Sequence, residues 1–453
     1  MAGKRIMVMG MARSGIAAAE LIANMGDIAL INDRKSEAEL GEGMAALHRE
    51  NIEWRLGEDP MSVLSGADML VLSPGIPDTH PVVRAAREAG IEVVAEIELA
   101  WRNFAGMTVS ITGTNGKTTT TTLLTEIYKN AGKKADAVGN IGVPYTGVCF
   151  GSKKEDIAVC EVSSFQMETC SRFHPRAAAV LNITPDHLNR HGTMDVYIGL
   201  KKKMFSNMAG DDTLVLNWGD PVVREMAADA KCRVAYFSRK DDIAFGAFVH
   251  DGMIMFGEKD SAQEICPAQD VFIQGDHNLE NALAATAMAM STGAAADVVA
   301  HTLRTFRGVE HRIETVETIK GVTFINDSKG TNADSTVVAV RTMRKPSVLI
   351  AGGSEKKQDF APLCREIMAS QIKEVVLIGD TAEQMRRQLL EAGFEKVHMA
   401  GYDFEKAIRM AQGLASEGWN VLLSPANASF DMFSDYEKRG DIFKEIVAKL
   451  AAE

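Results

Sequence analysis

The sequence predicts an α/β protein of three domains. Short apolar runs that end on Gly, Asp or Ser alternate with stretches of helical length along the chain. This alternation is typical of a mostly parallel sheet with helices on its faces. With 453 residues, the chain is too long for one compact domain. We place the domains at residues 1–104, 105–310 and 311–453.

The first domain begins with a strand, a helix and two further strands, which are RIMVMG, ARSGIAAAELIANMG, IALIND and ADMLVLSPG. The turn GMARSG after the first strand is similar to a dinucleotide-binding turn, although Ala12 replaces the middle Gly. A plain tight turn is the alternative. We expect a Rossmann-like domain in which the turn, Asp33 and the loop at 73–75 line one crevice.

The second domain begins with the strand MTVSITG and the helix that follows it. Four more strands are expected, and these are IAVCEVSS, AAAVLNIT, TLVLNW and RVAYFS. A DG pair between two apolar runs at 242–260 predicts a β-hairpin. The domain ends with an Ala-rich helix, NLENALAATAMAMS, and a short helix near HTLRTF. We expect a P-loop ATPase-like domain with a mostly parallel sheet.

The loop GTNGKTT at 113–119 lies between a predicted strand and a predicted helix, as a phosphate-binding loop requires. Its glycines let backbone N–H groups face a triphosphate, Lys117 can reach the β- and γ-phosphates, and Thr118 can ligate Mg²⁺. The general template has Gly five residues before Gly116, where this chain has Ile111. We predict an ATP site at this loop.

The third domain repeats the alternation of strands and helices, and we expect it to be Rossmann-like. Its predicted strands are GVTFIND, SVLIAGG, EVVLIGD, KVHMAG and NVLLSPA. Helices are expected in the segments between them.

Two candidate metal ligands follow predicted strands of the second domain. Glu161 ends the strand IAVCE, and His187 lies in NITPDHLNRH, just past the strand AAAVLNIT. Side chains at the carboxyl ends of strands point into the ligand crevice of an α/β sheet. We predict that Glu161 binds Mg²⁺ and that His187 binds a second Mg²⁺ or transfers a proton. For Lys201, the first of three consecutive lysines, spacing alone favours a solvated basic face.

Composition excludes several classes of function. Lys plus Arg is 49 and Asp plus Glu is 61, so the net charge of −12 disfavours a nucleic-acid-binding protein. No segment approaches the roughly 18 uninterrupted apolar residues that a membrane-spanning helix needs, so we expect no membrane insertion. The six cysteines form no CxxC pair, as is typical of reduced thiols in a cytoplasmic protein.

The motifs together resemble one family. They are GTNGKTT, EVSSFQME, NITPDHLNRH, GDHNLENALAA, the pair His311–Arg312, NDSKGTN and SPANASFDMFSDYEKRG, in this order over all three domains. This set resembles the Mur ligases, which make peptidoglycan precursors for the bacterial cell wall. SSFQ after Glu161, GNIG at 139–142 and SPANASFD are similar to the branch that adds D-glutamate.

The resemblance implies an ATP-dependent ligase that adds D-glutamate to UDP-N-acetylmuramoyl-L-alanine through an acyl phosphate, with two Mg²⁺ ions. It assigns the UDP part of the substrate to Ser14, Gly15, Asp33, Ser73, Pro74 and Gly75, and the muramoyl part to Asn140 and His187. It assigns ATP to Gly113, Thr114, Asn115, Gly116, Lys117, Thr118, Thr119, Asn278, Asn281, Arg312, Asp327 and Lys329. It assigns D-glutamate to Thr331, Lys356, Ser429, Phe430 and Tyr436.

The resemblance also changes the interpretation of Lys201. The family carries a lysine carbamylated by CO₂ that binds the second Mg²⁺ and lies four residues after a Tyr, and Tyr197 and Lys201 match this spacing. A carbamate forms on a neutral amine, so the surroundings should lower the pKa of Lys201. The expected catalytic residues are Lys117, His187 and Lys201, and the expected metal ligands are Thr118, Glu161, His187 and Lys201.

Two alternatives remain compatible with the sequence. One is a Mur-type or folylpolyglutamate-type ligase that adds a different amino acid, and the other is a non-catalytic nucleotide-binding regulator on the same scaffold. The presence of Lys117, Glu161 and His187 argues against the regulator. We expect an enzyme that acts as a monomer.

Overall fold

The structure, a computed structural model, describes residues 3–35, 49–240, 242–273, 275–354 and 359–453. These residues form three sheets with helices between their strands, which confirms the predicted α/β class. The chain divides into two compact units, Met1–Phe306 and Arg307–Glu453. The first unit contains two of the three sheets, so our boundary near residue 104 lies within a compact unit and stays a prediction.

The N-terminal sheet consists of β1 Arg5–Met9, β2 Ile28–Asn32, β3 Ile52–Trp54, β4 Met69–Leu72 and β5 Glu92–Ala95. Its helices are α1 Arg13–Asn24, α2 Pro60–Leu64, α3 Pro81–Glu88 and α4 Glu96–Asn103. The strands are parallel in the order β3-β2-β1-β4-β5. The chain therefore changes direction across the sheet between β1 and β4, and ligands bind at the carboxyl ends of strands at such a point.

The central sheet consists of β6 Met107–Thr112, β7 Ala135–Gly139, β8 Ile157–Glu161, β9 Ala177–Val180, β10 Gly210–Asn217, β11 Cys232–Ser238, β12 Phe245–His250, β13 Met253–Glu258 and β14 Gln263–Pro267. Their order is β14-β13-β12-β11-β10-β9-β6-β8-β7. Only β13 pairs antiparallel with its neighbours. The predicted hairpin is confirmed, since Asp251 and Gly252 join β12 to β13 with φ of 47° and 78°.

Helices of the central sheet lie between its strands and after β14. They are α5 Lys117–Asn130, α6 Leu188–His191, α7 Met194–Lys203, α8 Pro221–Glu225, α9 Asp276–Ser291 and α10 Ala296–Thr305. Short 3₁₀ helices occupy Tyr145–Val148, Met226–Asp229, Lys259–Ser261 and Ala268–Asp270. All five alanines of α9 are buried, which lets this helix pack closely on α5 and on the sheet.

The C-terminal unit contains the third sheet, with β15 Glu314–Ile319, β16 Val322–Asn326, β17 Ser347–Gly352, β18 Ile372–Ile378, β19 Val397–Gly401 and β20 Asn420–Leu423. The order is β15-β16-β20-β17-β18-β19, with only β15 antiparallel. Its helices are α11 Ala333–Thr342, α12 Ala361–Ala369, α13 Ala382–Glu391, α14 Phe404–Leu414 and α15 Tyr436–Ala452.

Buried carboxylates of α4 join the first two sheets. Glu96 accepts hydrogen bonds from the backbone N–H and the hydroxyl of Thr146 at 2.8 and 2.6 Å. Glu98 accepts the backbone N–H groups of Ser171 and Arg172 at 2.5 and 3.1 Å. Burial raises the pKa of Glu96, and its bonds to Thr146 oppose this. These contacts hold α4, which follows the last strand of the N-terminal sheet, against loops of the central sheet.

Five strands were not predicted, namely β3, β5, β7, β14 and β15. Each of them is at an edge of its sheet. Among the described residues, no helix has the length and apolar character required to cross a membrane.

Candidate functional site

The predicted phosphate-binding loop joins the carboxyl end of β6 to the start of α5. Gly116 has φ of 83°, and a Cβ there would lie 2.3 Å from Asn281 Oδ1. Only glycine fits both the backbone conformation and the space. The loop therefore brings its backbone to the N-terminus of a 14-residue helix, where N–H groups and the helix dipole favour an anion.

Two lysines converge on one carbonyl of this loop. Lys117 Nζ donates to Gly113 O at 3.0 Å and to Thr114 O at 2.8 Å. Lys201 Nζ, from α7, donates to the same Gly113 O at 2.9 Å and to Thr112 Oγ1 at 3.3 Å. The structure thus brings together two of the three predicted catalytic residues.

The solvated-face interpretation is wrong for Lys201. Its side chain is 2% exposed, and its Nζ lies 4.6 Å from the centre of the Tyr197 ring. Burial first, and then the charge of Lys117, lower the pKa of Lys201 to about 7. Lys203, by contrast, is exposed, and Lys202 pairs with Asp229 at 2.6 Å.

The predicted magnesium ligands lie at the ends of neighbouring elements. Thr118 Oγ1 donates to Glu161 Oε2 at 2.9 Å, and Asn140 Nδ2 donates to Glu161 Oε1 at 2.8 Å. Both Thr118 and Glu161 are buried. The described residues contain no group of three or more His, Cys, Asp or Glu that could hold a metal ion. Mg²⁺ commonly takes one or two carboxylates together with waters and phosphate oxygens, so this donor set fits it.

His187 lies on the turn between β9 and α6. Its backbone has φ of 53°, an uncommon conformation outside glycine. The ring is 4.7 Å from that of Phe165, and its Nε2 is 3.4 Å from Asp186 Oδ2. The side chain is about half exposed, at 47%. This imidazole is accessible at the carboxyl end of the sheet.

His191 belongs to the same region, but the sequence analysis did not select it. Its Nε2 is 2.9 Å from Ser164 Oγ, and its ring stacks on Tyr197 at 5.7 Å. Burial lowers the pKa of His191. The Tyr197 hydroxyl lies 3.1 Å from Thr114 Oγ1, so the histidine supports the phosphate-binding loop through this tyrosine. Its position four residues after His187 was the available signal.

Near the loop, two predicted ATP contacts, Asn278 and Asn281, occupy the first turns of α9. Asn281 Nδ2 donates to Asn278 Oδ1 at 3.3 Å. Thr120 Oγ1, on α5, donates to Asn281 Oδ1 at 3.3 Å. The structure therefore places both asparagines next to the helix that begins at the loop.

The predicted UDP contacts meet at the carboxyl ends of β1, β2 and β4. A Cβ on Gly15 would lie 1.9 Å from Gly10 O, so the turn requires glycine here. Ser73 Oγ donates to Gly10 O at 2.8 Å, and Asp33 Oδ2 accepts the N–H of Met11 at 2.7 Å. Asp33 thus fixes the turn that carries Ser14, and the loop with Pro74 and Gly75 flanks the same turn.

In the C-terminal unit, Asp327 is buried after β16. Its Oδ2 accepts a hydrogen bond from Ser424 Oγ at 2.6 Å, and its Oδ1 accepts the N–H of Ile313 at 3.2 Å. Burial raises the pKa of Asp327 to about 7, while Ser424 and Arg312 oppose the shift. The predicted ATP contact Arg312 is therefore close enough to influence this carboxylate.

The predicted D-glutamate contacts occupy several loops of this unit. Ser429 is buried, Phe430 is exposed, and the Tyr436 ring lies 5.9 Å from Lys329 Nζ. Thr331 follows two residues after Lys329 and donates its N–H to the carbonyl of that lysine at 2.8 Å. Lys356 lies outside the described residues.

A buried arginine that the sequence analysis missed ties two of these loops together. Arg439 Nε and Nη2 donate to Ser328 Oγ and O at 2.9 and 2.8 Å. Both terminal nitrogens donate to Asn427 O at 3.1 Å. Burial lowers the pKa of Arg439 to about 10. The guanidinium thus joins the loop before Lys329 to the loop before Ser429.

Three family models match the chain in order. They are "Mur ligase MurD-like, N-terminal domain" at residues 4–95, "Mur ligase middle domain" at 111–289 and "Mur ligase, glutamate ligase domain" at 311–427. Each matched segment contains one of the three sheets or nearly all of it.

Full-length relatives carry one name, UDP-N-acetylmuramoylalanine–D-glutamate ligase. The protein of this name from Thermoanaerobacter sp. (strain X514) is 42% identical over 99% of this chain and 99% of its own length. The one from Alkaliphilus oremlandii (strain OhILAs) is 43% identical over 99% of this chain and 98% of its own.

Solved structures share the fold at lower sequence identity. UDP-N-acetylmuramate–alanine ligase from Thermotoga maritima aligns with a TM-score of 0.59 at 17% identity, over 98% of this chain and 99% of its own. The MurF ligase from Thermotoga maritima in complex with ADP aligns with a TM-score of 0.56 at 16% identity, over 93% and 95%. With three matched domains and full-length relatives above 40% identity, the chain belongs to the Mur ligase family.

Proposed function

We propose that the protein is an ATP-dependent ligase that joins D-glutamate to UDP-N-acetylmuramoyl-L-alanine in the synthesis of peptidoglycan precursors. Relatives named for this reaction are 42% and 43% identical over 99% of the chain. The observation that carries the proposal is the phosphate-binding loop, on which Lys117 and Lys201 share the Gly113 carbonyl next to the Thr118–Glu161 pair.

The loop and its helix would hold the phosphates of ATP. Backbone N–H groups at the start of α5 and the Lys117 ammonium supply positive charge for these phosphates. Thr118 and Glu161 would hold Mg²⁺, which offsets the negative charge of the phosphates when it is bound. We assign the rest of the nucleotide to Thr119, Asn278 and Asn281, and to Arg312, Asp327 and Lys329.

The reaction needs an activated carboxylate, because a free carboxylate is a poor electrophile for an amine. The alanyl carboxylate attacks the γ-phosphorus of ATP, ADP leaves, and an acyl phosphate forms. The D-glutamate amine then attacks the acyl carbon, loses a proton and expels phosphate. Lys117 stabilises the charge that develops during phosphoryl transfer. His187, accessible at the same edge of the sheet, is assigned to the second Mg²⁺ and to the muramoyl part together with Asn140.

We also propose that Lys201 is carbamylated. Its amine is buried and has a pKa of about 7, so the neutral form that adds to CO₂ is well populated near neutral pH. The nitrogen bonds to the carbon of CO₂ and releases a proton. The new carboxylate is an oxygen ligand of the kind that Mg²⁺ prefers.

Mass spectrometry of the protein prepared in bicarbonate tests the carbamate. We expect a carboxyl adduct on wild type and on Lys202→Gln, whose side chain lies at the surface, and none on Lys201→Gln. An adduct that persists in Lys201→Gln would contradict the assignment.

The remaining substrate contacts follow the family resemblance. The UDP part is assigned to Ser14, Gly15, Asp33, Ser73, Pro74 and Gly75. D-Glutamate is assigned to Thr331, Lys356, Ser429, Phe430 and Tyr436.

Product mass tests the proposed reaction directly. Incubation with UDP-N-acetylmuramoyl-L-alanine, ATP, Mg²⁺ and D-glutamate should give the amide-linked product, and a panel of other amino acids should give little. Lys117→Ala should reduce turnover at least about a hundredfold. Lys129→Ala, on the exposed face of the same helix, should not. The proposal fails if another amino acid is the preferred acceptor or if no amide product forms.

We place the reaction in the cytoplasm and propose that the enzyme acts as a monomer. All six cysteines are free, and five of them are buried, as suits a reducing compartment. Light scattering should give the mass of a single chain, 49.1 kDa, and twice that mass would contradict the monomer.

A further inference from the structure

We propose that Glu168 and Arg190 are positioning residues for the UDP-linked substrate. This inference rests on the proposed function, because it concerns the loop at 73–78, whose first three residues we assign to that substrate. We call the pair the Glu168–Arg190 clamp. Both residues belong to the central segment of the first compact unit, and the loop belongs to its N-terminal segment.

The two side chains form a bidentate ion pair. Arg190 Nε donates to Glu168 Oε1 at 2.9 Å, and Arg190 Nη2 donates to Glu168 Oε2 at 2.7 Å. The Arg190 and Glu168 side chains are only 21% and 11% exposed, so water screens them little. The guanidinium also lies 4.5 Å from the centre of the Phe165 ring. The orientation of the guanidinium is therefore fixed by two parallel hydrogen bonds to Glu168 and by its contact with the Phe165 ring.

Both ends of the ion pair also bind the backbone of the loop. Arg190 Nη2 donates to Ile76 O at 3.4 Å, and Glu168 Oε2 accepts the N–H of Asp78 at 3.2 Å. The two backbone groups are two residues apart. The clamp thus binds the backbone at positions 76 and 78, so these contacts do not depend on which side chains are present there. It fixes the path of the chain directly after the residues assigned to substrate.

The other end of the loop is fixed within its own sheet. Ser73 Oγ donates to Gly10 O at 2.8 Å, and the N–H of Ile76 donates to Ser73 O at 3.0 Å. Pro74 and Gly75 lie between this turn and the clamp. Without the clamp, Asp78 would keep its side-chain ion pair with Arg87 on α3, but the backbone of the loop would lose both of these bonds to the central segment. We expect this loss to weaken binding of the UDP-linked substrate.

The clamp also connects this loop to the site of phosphoryl transfer. Arg190 and His187 share one turn of backbone, in which the N–H of Arg190 donates to His187 O at 3.0 Å. In the proposed reaction, the N-terminal segment binds the UDP end of the substrate. The carboxylate at the other end of the substrate must then lie near His187 on the central segment. Displacements near 1 Å can reduce rates by about a hundredfold, so a rigid connection between these two points is useful.

Kinetics of clamp variants test the inference. In Glu168→Gln and in Arg190→Lys, we expect the KM for UDP-N-acetylmuramoyl-L-alanine to rise about tenfold or more, and the KM values for ATP and D-glutamate to change less than about twofold. Because the two residues act as a unit, the KM of the double variant for this substrate should be no higher than that of the more strongly affected single variant. The control Arg84→Gln, an arginine that is 79% exposed on α3, should match wild type.

A general loss of folded protein would lower kcat and leave every KM unchanged, and this pattern would overturn the inference. Equal increases in all three KM values would overturn it as well. Hydrogen exchange in the ligand-free protein gives a second readout. The Asp78 amide should exchange faster in Glu168→Ala than in wild type, and equal rates would contradict the clamp. If wild type does not use this UDP-linked substrate, the proposed function fails, while the exchange at Asp78 still decides whether the clamp exists.

Discussion

The Gly113 carbonyl shows how single residues divide the work of the site. Lys117 and Lys201 both donate to it, so two amines lie close together in a buried region. Two adjacent ammonium groups repel each other, and the more buried one loses its proton more readily. Burial and then the charge of Lys117 therefore lower the pKa of Lys201. In the function that we propose, Lys117 is the cation that contacts phosphate and Lys201 is the amine that reacts with CO₂.

Asp327 gives a prediction at the same scale. Its pKa is about 7 in the folded protein against an ordinary value of 3.8, so between these values the folded chain holds a proton that the unfolded chain has lost. The free energy of unfolding of the C-terminal unit should therefore fall as the pH rises from about 4 to about 7, and stay low above that. The fall should reach a few kcal/mol, at about 1.4 kcal/mol per pKa unit.

Urea unfolding at about pH 5 and about pH 8 measures this change. In Asp327→Asn, which does not titrate, the difference between the two pH values should shrink. The exposed Glu445→Gln in the same unit should keep the wild-type difference. A wild-type protein whose unfolding free energy rises over this range would contradict the prediction.

At the level of elements, the turn from β1 into α1 depends on the absence of a side chain. A Cβ on Gly15 would lie 1.9 Å from Gly10 O, and backbone atoms cannot move away as a flexible side chain could. Gly15→Ala should displace the turn that carries Ser14, and it should raise the KM for the UDP-linked substrate at least about tenfold.

Gly66→Ala is the matched control, because the nearest atom to a new Cβ there is 3.9 Å away. Its kinetics should match wild type, and in Gly15→Ala the KM for ATP should stay within about twofold. An unchanged KM for the UDP-linked substrate in Gly15→Ala would show that the turn does not hold this substrate.

Which elements could be predicted depended on their burial. The central strands β1, β8 and β17 are buried on both faces, so they appear in sequence as nearly continuous apolar runs. The strand β15 is ETVETI at a sheet edge, where one face meets water and charged side chains are tolerated. The same reason applies to the other missed edge strands, whose pattern resembles that of loops.

Site residues divided in a similar way. Lys117, Glu161 and His187 follow strands, and the rule that strand ends line the crevice was enough to select them. Lys201 needed the family resemblance, because its burial depends on α7 packing against the loop. Arg190 and Arg439 were missed because their partners lie far away in sequence, and only the folded chain brings them together.

At the scale of the whole molecule, the chain forms two compact units, Met1–Phe306 and Arg307–Glu453, with separate apolar cores. Tryptophan positions make these units distinguishable. Trp54, Trp101 and Trp218 belong to the first unit, and Trp419 is the one tryptophan of the second. A variant that keeps only Trp419 therefore reports unfolding of the second unit by fluorescence. A variant that keeps only the other three tryptophans reports unfolding of the first.

Arg439→Met tests whether the second unit depends on its buried guanidinium. The change removes the hydrogen bonds from the guanidinium to the carbonyls of Ser328 and Asn427, and a hydrogen bond to a charged group contributes about 1.5–3 kcal/mol. We expect the free energy of unfolding of the second unit, followed by Trp419 fluorescence, to fall by a few kcal/mol. The free energy of unfolding of the first unit should stay unchanged. Arg409→Met removes an arginine whose partners, Glu405 and Glu453, are exposed, and it should lower stability much less than Arg439→Met does. Equal losses in both units would mean that the two unfold as one, and equal effects of the two arginines would mean that burial of Arg439 contributes nothing.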